Sequence, residues 1–269
     1  MKNLKVKNLA NTQSSLKKAC INNKKIDRVL NKKTGIFEMR EVQCDCIVDP
    51  RSEEFTLESY CEECRKPFEK KINTLLPLEG RNADLKLCDK TIQDYYNKIF
   101  IKNKKGLFLW GKPGVGKTWA QYAIIKRLIL SSDKNNFKDI EIYSMSKIYS
   151  DLTEGQFDKD FKSSDYKERI CDTEILMIDD LGVEKISDFR QEILEYIFNT
   201  RCKNEKLTLI TSNYKLDDLI DRVGGGVEGE RITSRILKMC EIIEMEGEDR
   251  RLPCKNQIPE KEKVKLPPE

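Results

Sequence analysis

Two hydrophobic patterns alternate between residues 89 and 245. Short unbroken apolar runs read as buried strands, and stretches with apolar residues three and four apart read as amphipathic helices. The strands fall at Gly106–Trp110, Ile140–Ser144, Glu174–Asp180, Leu207–Thr211 and Glu241–Met245. The helices fall at Asp89–Lys105, Trp119–Leu130, Ser146–Leu152, Ser164–Cys171 and Ser187–Asn204, the last capped by Ser187 or Asp188. Shorter helices at Leu216–Val223 and Glu230–Cys240 surround the turn Gly224-Gly225-Gly226. Strands alternating with helices predict an α/β fold with a parallel sheet and crossover helices.

Upstream the pattern is weaker. Leu16, Ile21, Ile26, Val29 and Leu30 have intermittent helical spacing and predict a helix or two, broken by Lys/Asn clusters and Thr34-Gly35. Residues 65–88, Lys-rich and leading to Pro77-Leu78-Glu79-Gly80, read as a linker, and the proline-bearing charged stretch after Leu252 reads as a disordered tail. The chain therefore divides into 1–76, 77–252 and 253–269, without internal repeats.

Charge sharpens the division. Residues 1–40 hold 11 Lys/Arg against Asp27 and Glu38, a local +9; with +4 for the whole chain, the remainder is −5. Such an arm suits nucleic acid, an acidic partner face, or plain solvation. No apolar run reaches the roughly 18 residues of a membrane span, and the basic N-terminus lacks a signal peptide's apolar region, so a cytoplasmic location is expected. There are ten cysteines and no histidine. In a reducing compartment that favours metal ligands or free thiols over disulfides, and it removes histidine as a base or ligand. Cys44-x-Cys46 and Cys61-x-x-Cys64, fourteen residues apart, can place four thiolates around a structural Zn²⁺, with Cys20 or Cys88 as substitutes. Four thiolates leave no open position for catalysis.

The densest chemistry follows the first buried strand. Gly111-Lys112-Pro113-Gly114-Val115-Gly116-Lys117-Thr118 is G-x-x-x-x-G-K-[ST], and Trp119 begins the helix behind it. Glycines let consecutive amides face phosphate oxygens, and the helix adds the positive end of its dipole. Lys117 reaches the β- and γ-phosphates, and the Thr118 hydroxyl ligates Mg²⁺. These residues are the expected triphosphate contacts. Sixty-one residues after Thr118, the strand ILMIDD delivers Asp179 to the same ion and Asp180 to orient or deprotonate an attacking water. Asn213, ending the strand TSN, can sense the γ-phosphate. Arg231 and Arg235, one helical turn apart, can complete a neighbouring subunit's site; Arg250 and Arg251 can touch the nucleotide in cis.

Together these motifs resemble AAA+ ATPases of the DnaC/DnaI helicase-loader type and their sister group, the IstB-type ATPases that assist transposition. The resemblance covers residues 78–252. It rests on Gly80-Arg81-Asn82-Ala83-Asp84-Leu85, GLFLWGKPGVGKT, ILMIDDLG, TSN and Gly229–Leu237. It implies an AAA+ core with a parallel sheet and flanking helices, adenine near the Arg81–Asp84 segment, and Arg235 as arginine finger. Asp180 stands where Glu is common, which implies slow hydrolysis, and the 17 residues after Leu252 leave no room for a helical lid. The cysteine-rich segment is similar to the zinc-bearing, helicase-docking module of DnaI-type loaders. Residues 145–172, with Lys147, Tyr149, Phe161, Lys162, Tyr166, Lys167 and Arg169, would face single-stranded DNA, or solvent. The expected activity is ATP-switched loading of a hexameric replicative helicase onto single-stranded DNA by a self-associating ATPase. A transposition helper, a small-molecule kinase and a zinc-dependent DNA-binding regulator are the rivals.

Overall fold

The computed structural model describes residues 24–30, 37–43, 57–100, 105–132, 138–155 and 162–251. Two compact units divide the chain: residues 1–97 with 119–140, and residues 98–118 with 141–269.

In the first unit, β1 (Lys24–Leu30) and β2 (Phe37–Gln43) form an antiparallel hairpin in which Leu30 is paired with Phe37 and Asp27 with Arg40. Over Lys24–Leu30 the helical expectation fails; Leu16 and Ile21 lie outside the described residues. Ile26, Val29 and Leu30 fit a helical face, but β-branched Ile26 and Val29 favour a strand. Residues 65–88 are mostly helical rather than a linker: α1 spans Glu62–Leu75 and α2 spans Leu78–Arg81. Cys64, Phe68, Ile72 and Leu76 lie four apart and all are buried, a helical stripe hidden among lysines. Tyr60 stacks on Phe68 at 4.5 Å, and its hydroxyl donates to the Leu130 carbonyl at 2.6 Å. Arg81 donates to Leu76 and Asn73 carbonyls, and Lys126 Nζ donates to the Arg81 carbonyl at 2.7 Å. Further on, α3 (Lys90–Asp94) continues as a π-helical turn through Phe100, and α4 runs from Lys117 to Leu130.

The second unit is built on a parallel sheet of five strands: β3 (Gly106–Trp110), β4 (Ile140–Ser144), β5 (Ile175–Leu181), β6 (Leu207–Ser212) and β7 (Cys240–Glu244). Their order is β4-β5-β6-β3-β7, so β6 is central and β3 lies beside it, hydrogen-bonded to both β6 and the edge strand β7. Leu107, Phe108 and Leu109 are wholly buried, as expected where helices cover both faces of a parallel sheet. Phe108, Leu176, Ile178 and Ile210 pack with residues of α5 (Met145–Glu154), α6 (Ser163–Asp172), α7 (Asp188–Lys203) and α9 (Gly226–Met239). Between these last two runs α8 (Leu216–Arg222). The last helix starts at Gly226, not Glu230. Gly225, with φ of +70°, sits at its N-cap, and a Cβ at Gly229 would strike the Ile220 carbonyl.

One charge is sealed in this core. Arg201 of α7 is fully buried, and its guanidinium donates to Ile170, Cys171, Thr173 and Leu207 carbonyls and to Thr208 Oγ1. Burial pushes its pKa down to about 10, and the hydrogen bonds keep the cation tolerable. They tie the end of α6 to the start of β6. Arg201→Leu should lower stability by about 3 kcal/mol or more, because it strands several buried carbonyls. Arg201→Lys should recover little of it, since an ammonium has only three donors. Urea denaturation followed by circular dichroism checks both; equal midpoints for wild type and R201L would refute this role.

Candidate functional site

The predicted residues of the glycine-rich loop and of two strand ends meet at the carboxyl edge of the sheet, where ligands of open α/β sheets bind. Lys117, only 5% exposed, donates through Nζ to the carbonyls of Gly111 and Lys112 and to Asn213 Oδ1, each at 2.9 Å. Thr118 Oγ1 donates to Asp179 Oδ1 at 2.8 Å. The loop and the ends of β5 and β6 are thus held by two side chains in sequence. Lys112 and Pro113 are exposed, Val115 is buried, and Trp119 is half-buried on the first turn of α4.

A register break sets the carboxylates. From Ile175 to Ile178, β5 pairs in step with β6, but the next partners are Leu181 and Ser212. Asp179 and Asp180 are the three-against-two step between, a bulge that turns them out of the ladder. Asp180 takes φ of +57°, a left-handed conformation unusual outside glycine. Thr211 holds the bulge closed: its hydroxyl donates to Asp179 Oδ1 at 2.5 Å and accepts from the Asp180 amide at 2.9 Å. Ser212 Oγ donates to the Leu181 carbonyl at 2.7 Å. Neither hydroxyl was among the expected site residues. The available signal was a pair of hydroxyl side chains ending an otherwise apolar strand.

The electrostatics are those of a compact charge cluster. Burial lowers the Lys117 pKa, opposed by Asp180 and then Asp179. Burial raises the Asp180 pKa, reinforced by Asp179 and opposed by Lys117 and Arg251. Oxygen donors from a hydroxyl and a carboxylate are a set that suits a hard divalent cation such as Mg²⁺.

Other expected residues lie elsewhere. Arg235 is on α9 with Nη1 donating to the Arg231 carbonyl at 2.7 Å; Arg231 is exposed and Arg235 half-buried. Tyr149 and Tyr166 are buried, at 4% and 9% exposure. The Arg190 guanidinium lies over the Tyr149 ring, and the Tyr166 hydroxyl donates to Asp151 at 2.7 Å. These two rings are therefore not stacking platforms; the helical packing of α5 and α6 claims them. Lys147 is engaged by Asp151 at 2.5 Å, Arg169 by Tyr143 at 2.6 Å, and Phe161 lies outside the described residues. Cys61 stands at the N-cap position of α1 without a side-chain capping bond, Cys64 is buried one turn on, and Cys88 is buried at the end of a 3₁₀ turn. Cys20, Cys44 and Cys46 lie outside the described residues, among which no group of three or more metal-ligating side chains converges. No helix among the described residues is long and apolar enough to cross a membrane.

The strand order, the loop after β3 and the carboxylates at the end of β5, one strand removed from it, define a P-loop domain of the AAA+ class. Residues 79–258 match the model of the IstB-like ATP binding proteins, and the chain belongs to that family. It is 29% identical over 157 residues to the replicative helicase loader DnaI of Bacillus subtilis, covering 55% of this chain and 48% of that one. The crystal structure of DnaI superposes with a TM-score of 0.55 at 25% identity, covering 65% of this chain and 94% of the other. That of the DnaC helicase loader gives 0.52 at 26% identity, covering 63% and 100%. The chain spans about half the length of the curated relatives it matches, 48% of DnaI and 54% of DnaC from Escherichia coli.

Asp180 yields a stability prediction. Its folded pKa is raised, so the folded chain holds the proton more readily than the unfolded one. The resulting destabilisation is present at neutral pH, above the raised pKa, and disappears below the ordinary carboxylate range. Asp180→Asn removes the charge beside Asp179, and Asn tolerates a positive φ. A small rise in Tm at pH 7, fading as the pH falls below about 4, is expected, kept small because solvent still reaches and screens Asp180. Calorimetry across that pH range checks it; a fall in Tm at pH 7 would count against this account.

Proposed function

We propose that this chain is an ATP-switched loader of a replicative DNA helicase. The observation that carries the reading is the single cluster formed by Lys117, Thr118, Asp179 and Asn213, in a fold shared with the DnaI and DnaC loaders. In this reading the loop amides of Gly114–Thr118 bind the β- and γ-phosphates, with Gly111, Lys112, Pro113 and Trp119 around them, and Lys117 exchanges a loop carbonyl for a phosphate oxygen. Thr118 and Asp179 would hold Mg²⁺, which offsets phosphate charge when bound. Asp180 orients water; its raised pKa makes it a better proton acceptor than an ordinary aspartate. Asn213, already sharing a hydrogen bond with Lys117, reports to β6 whether a γ-phosphate has taken over that bond.

Arg235 is assigned to the nucleotide site of an adjacent copy, with Arg231 one turn away as its support or substitute. Its place on α9, half-buried and one turn from the exposed Arg231 whose carbonyl it bonds, supports that assignment. The basic first forty residues and the Cys44/Cys46/Cys61/Cys64 module are assigned to helicase docking, and residues 77–252 to the switch. Without stacking from Tyr149 or Tyr166, single-stranded DNA would be held through phosphate contacts by Lys162 and Lys167.

The test is reconstitution. Candidate hexameric helicases are assayed for unwinding of a single-strand-binding-protein-coated substrate, with and without this protein, in ATP and a non-hydrolysable analogue. Helicase retention and stimulated unwinding are expected; retention of a transposase instead would favour the transposition helper. Lys117→Ala should weaken ATP binding by about 100-fold and abolish loading. Wild-type loading by K117A would point to the zinc-dependent regulator, in which ATP is incidental. Metal analysis of the purified protein should return close to one zinc per chain; less than about half an equivalent would sink the four-thiolate site.

A further inference from the structure

The stretch that follows β7 is stitched onto the phosphate loop. The Met245 amide donates to the Trp110 carbonyl at 2.7 Å, and the Arg250 amide donates to the Gly114 carbonyl at 3.0 Å. Between these bonds the two segments approach without room for a side chain. A Cβ at Gly111 would overlap the Met245 carbonyl, and one at Gly114 would overlap the Asp249 carboxylate. Asp249 therefore sets a carboxylate in van der Waals contact with the loop's middle glycine, three residues before Lys117. On its other side, the Arg250 guanidinium comes within 3.4 Å of where a Gly116 Cβ would stand.

Hydrogen bonding alone does not require that charge. Asp249 Oδ1 accepts from the Arg251 amide at 2.9 Å, closing a local turn that asparagine or serine would close equally. What aspartate adds is a fixed negative charge against a loop whose amides and lysine are arranged for polyphosphate. Like charges a few ångströms apart repel, and the repulsion grows with each phosphate added.

We propose that Asp249 is a specificity-determining residue of the nucleotide site: its carboxylate opposes the phosphate charge, penalises triphosphate more than diphosphate, and keeps bound nucleotide exchangeable. The proposal rests on the assignment of this loop to ATP and deepens it. Arg250 approaches Gly116 and Arg251 acts through space on Asp180 and Lys117, so neutralising Asp249 leaves two cations beside the loop.

The measurement is equilibrium binding of mant-ATP and mant-ADP to the full chain, by fluorescence, at low salt and at about 0.5 M salt. Asp249→Asn should tighten mant-ATP roughly three- to tenfold and mant-ADP by less, with both gains shrinking at high salt. Asp249→Ser, a second uncharged acceptor, should behave alike and guards against a fold defect peculiar to one variant; Asp249→Glu should stay near wild type. Unchanged or weaker binding in the uncharged variants, beside normal wild-type binding, overturns the role of Asp249 alone. Loss of nucleotide binding by wild type and variants together overturns the ATP assignment and this inference with it. Binding by the uncharged variants only would be the strongest support.

Discussion

Everything at the carboxyl edge of the sheet depends on a register break. Had β5 continued in step with β6 past Ile178, Asp179 and Asp180 would have alternated across the sheet, one toward each covering layer of helices. The three-against-two step at Asp179–Asp180 prevents this, and Thr211 secures it with one hydroxyl bonded to both residues. The unusual φ of Asp180 is the local cost, of order 1 kcal/mol for a non-glycine residue. It is offset by two hydrogen bonds and by burial of the ILMI run before it.

Lys117 then links that edge to the loop. Its three hydrogen bonds all go to neutral oxygens, while the two nearby carboxylates act on it through space. A buried ammonium satisfied in this way can change partners cheaply, because a phosphate oxygen is a better acceptor than a carbonyl. The same argument explains why Asn213 belongs to the site: any change at Lys117 is felt at once by an amide at the end of β6. The family membership, the fold and the cluster thus describe one object at three scales.

The sequence revealed strands better than helix ends. Buried parallel strands read as unbroken apolar runs, and all five were legible to within a residue or two because nothing else in a charged chain looks like GLFLW or ILMI. The loop and its partners were legible too, since phosphate chemistry demands a fixed set of residue types. What failed, failed for physical reasons. Strand β1 reads as helix because Ile26, Val29 and Leu30 stand three and four apart, whereas only Ile26 and Leu30 share a strand face. Helix α1 was hidden because Cys64 and lysines mask its four-residue stripe, and tertiary packing on Tyr60 and α4 settles it. Thr211, Asp249 and Arg201 were invisible for a different reason. Their partners are 31, 135 and 31 residues away, and no local pattern announces a long-range hydrogen bond or contact.

Arg201 has a mechanical meaning as well as a stabilising one. It grips Leu207 and Thr208 at the start of β6, and Lys117 grips Asn213 just past the strand's end. A six-residue strand held by a cation at each end cannot stretch, slide or fray without breaking a charged hydrogen bond. It behaves as a stiff rod, and a stiff rod is silent about small disturbances and obedient to large ones. At the other end Lys117 has three neutral acceptors and can give up one while keeping two. A displacement too large for that has to move the whole strand, and with it the end of α6 that Arg201 holds.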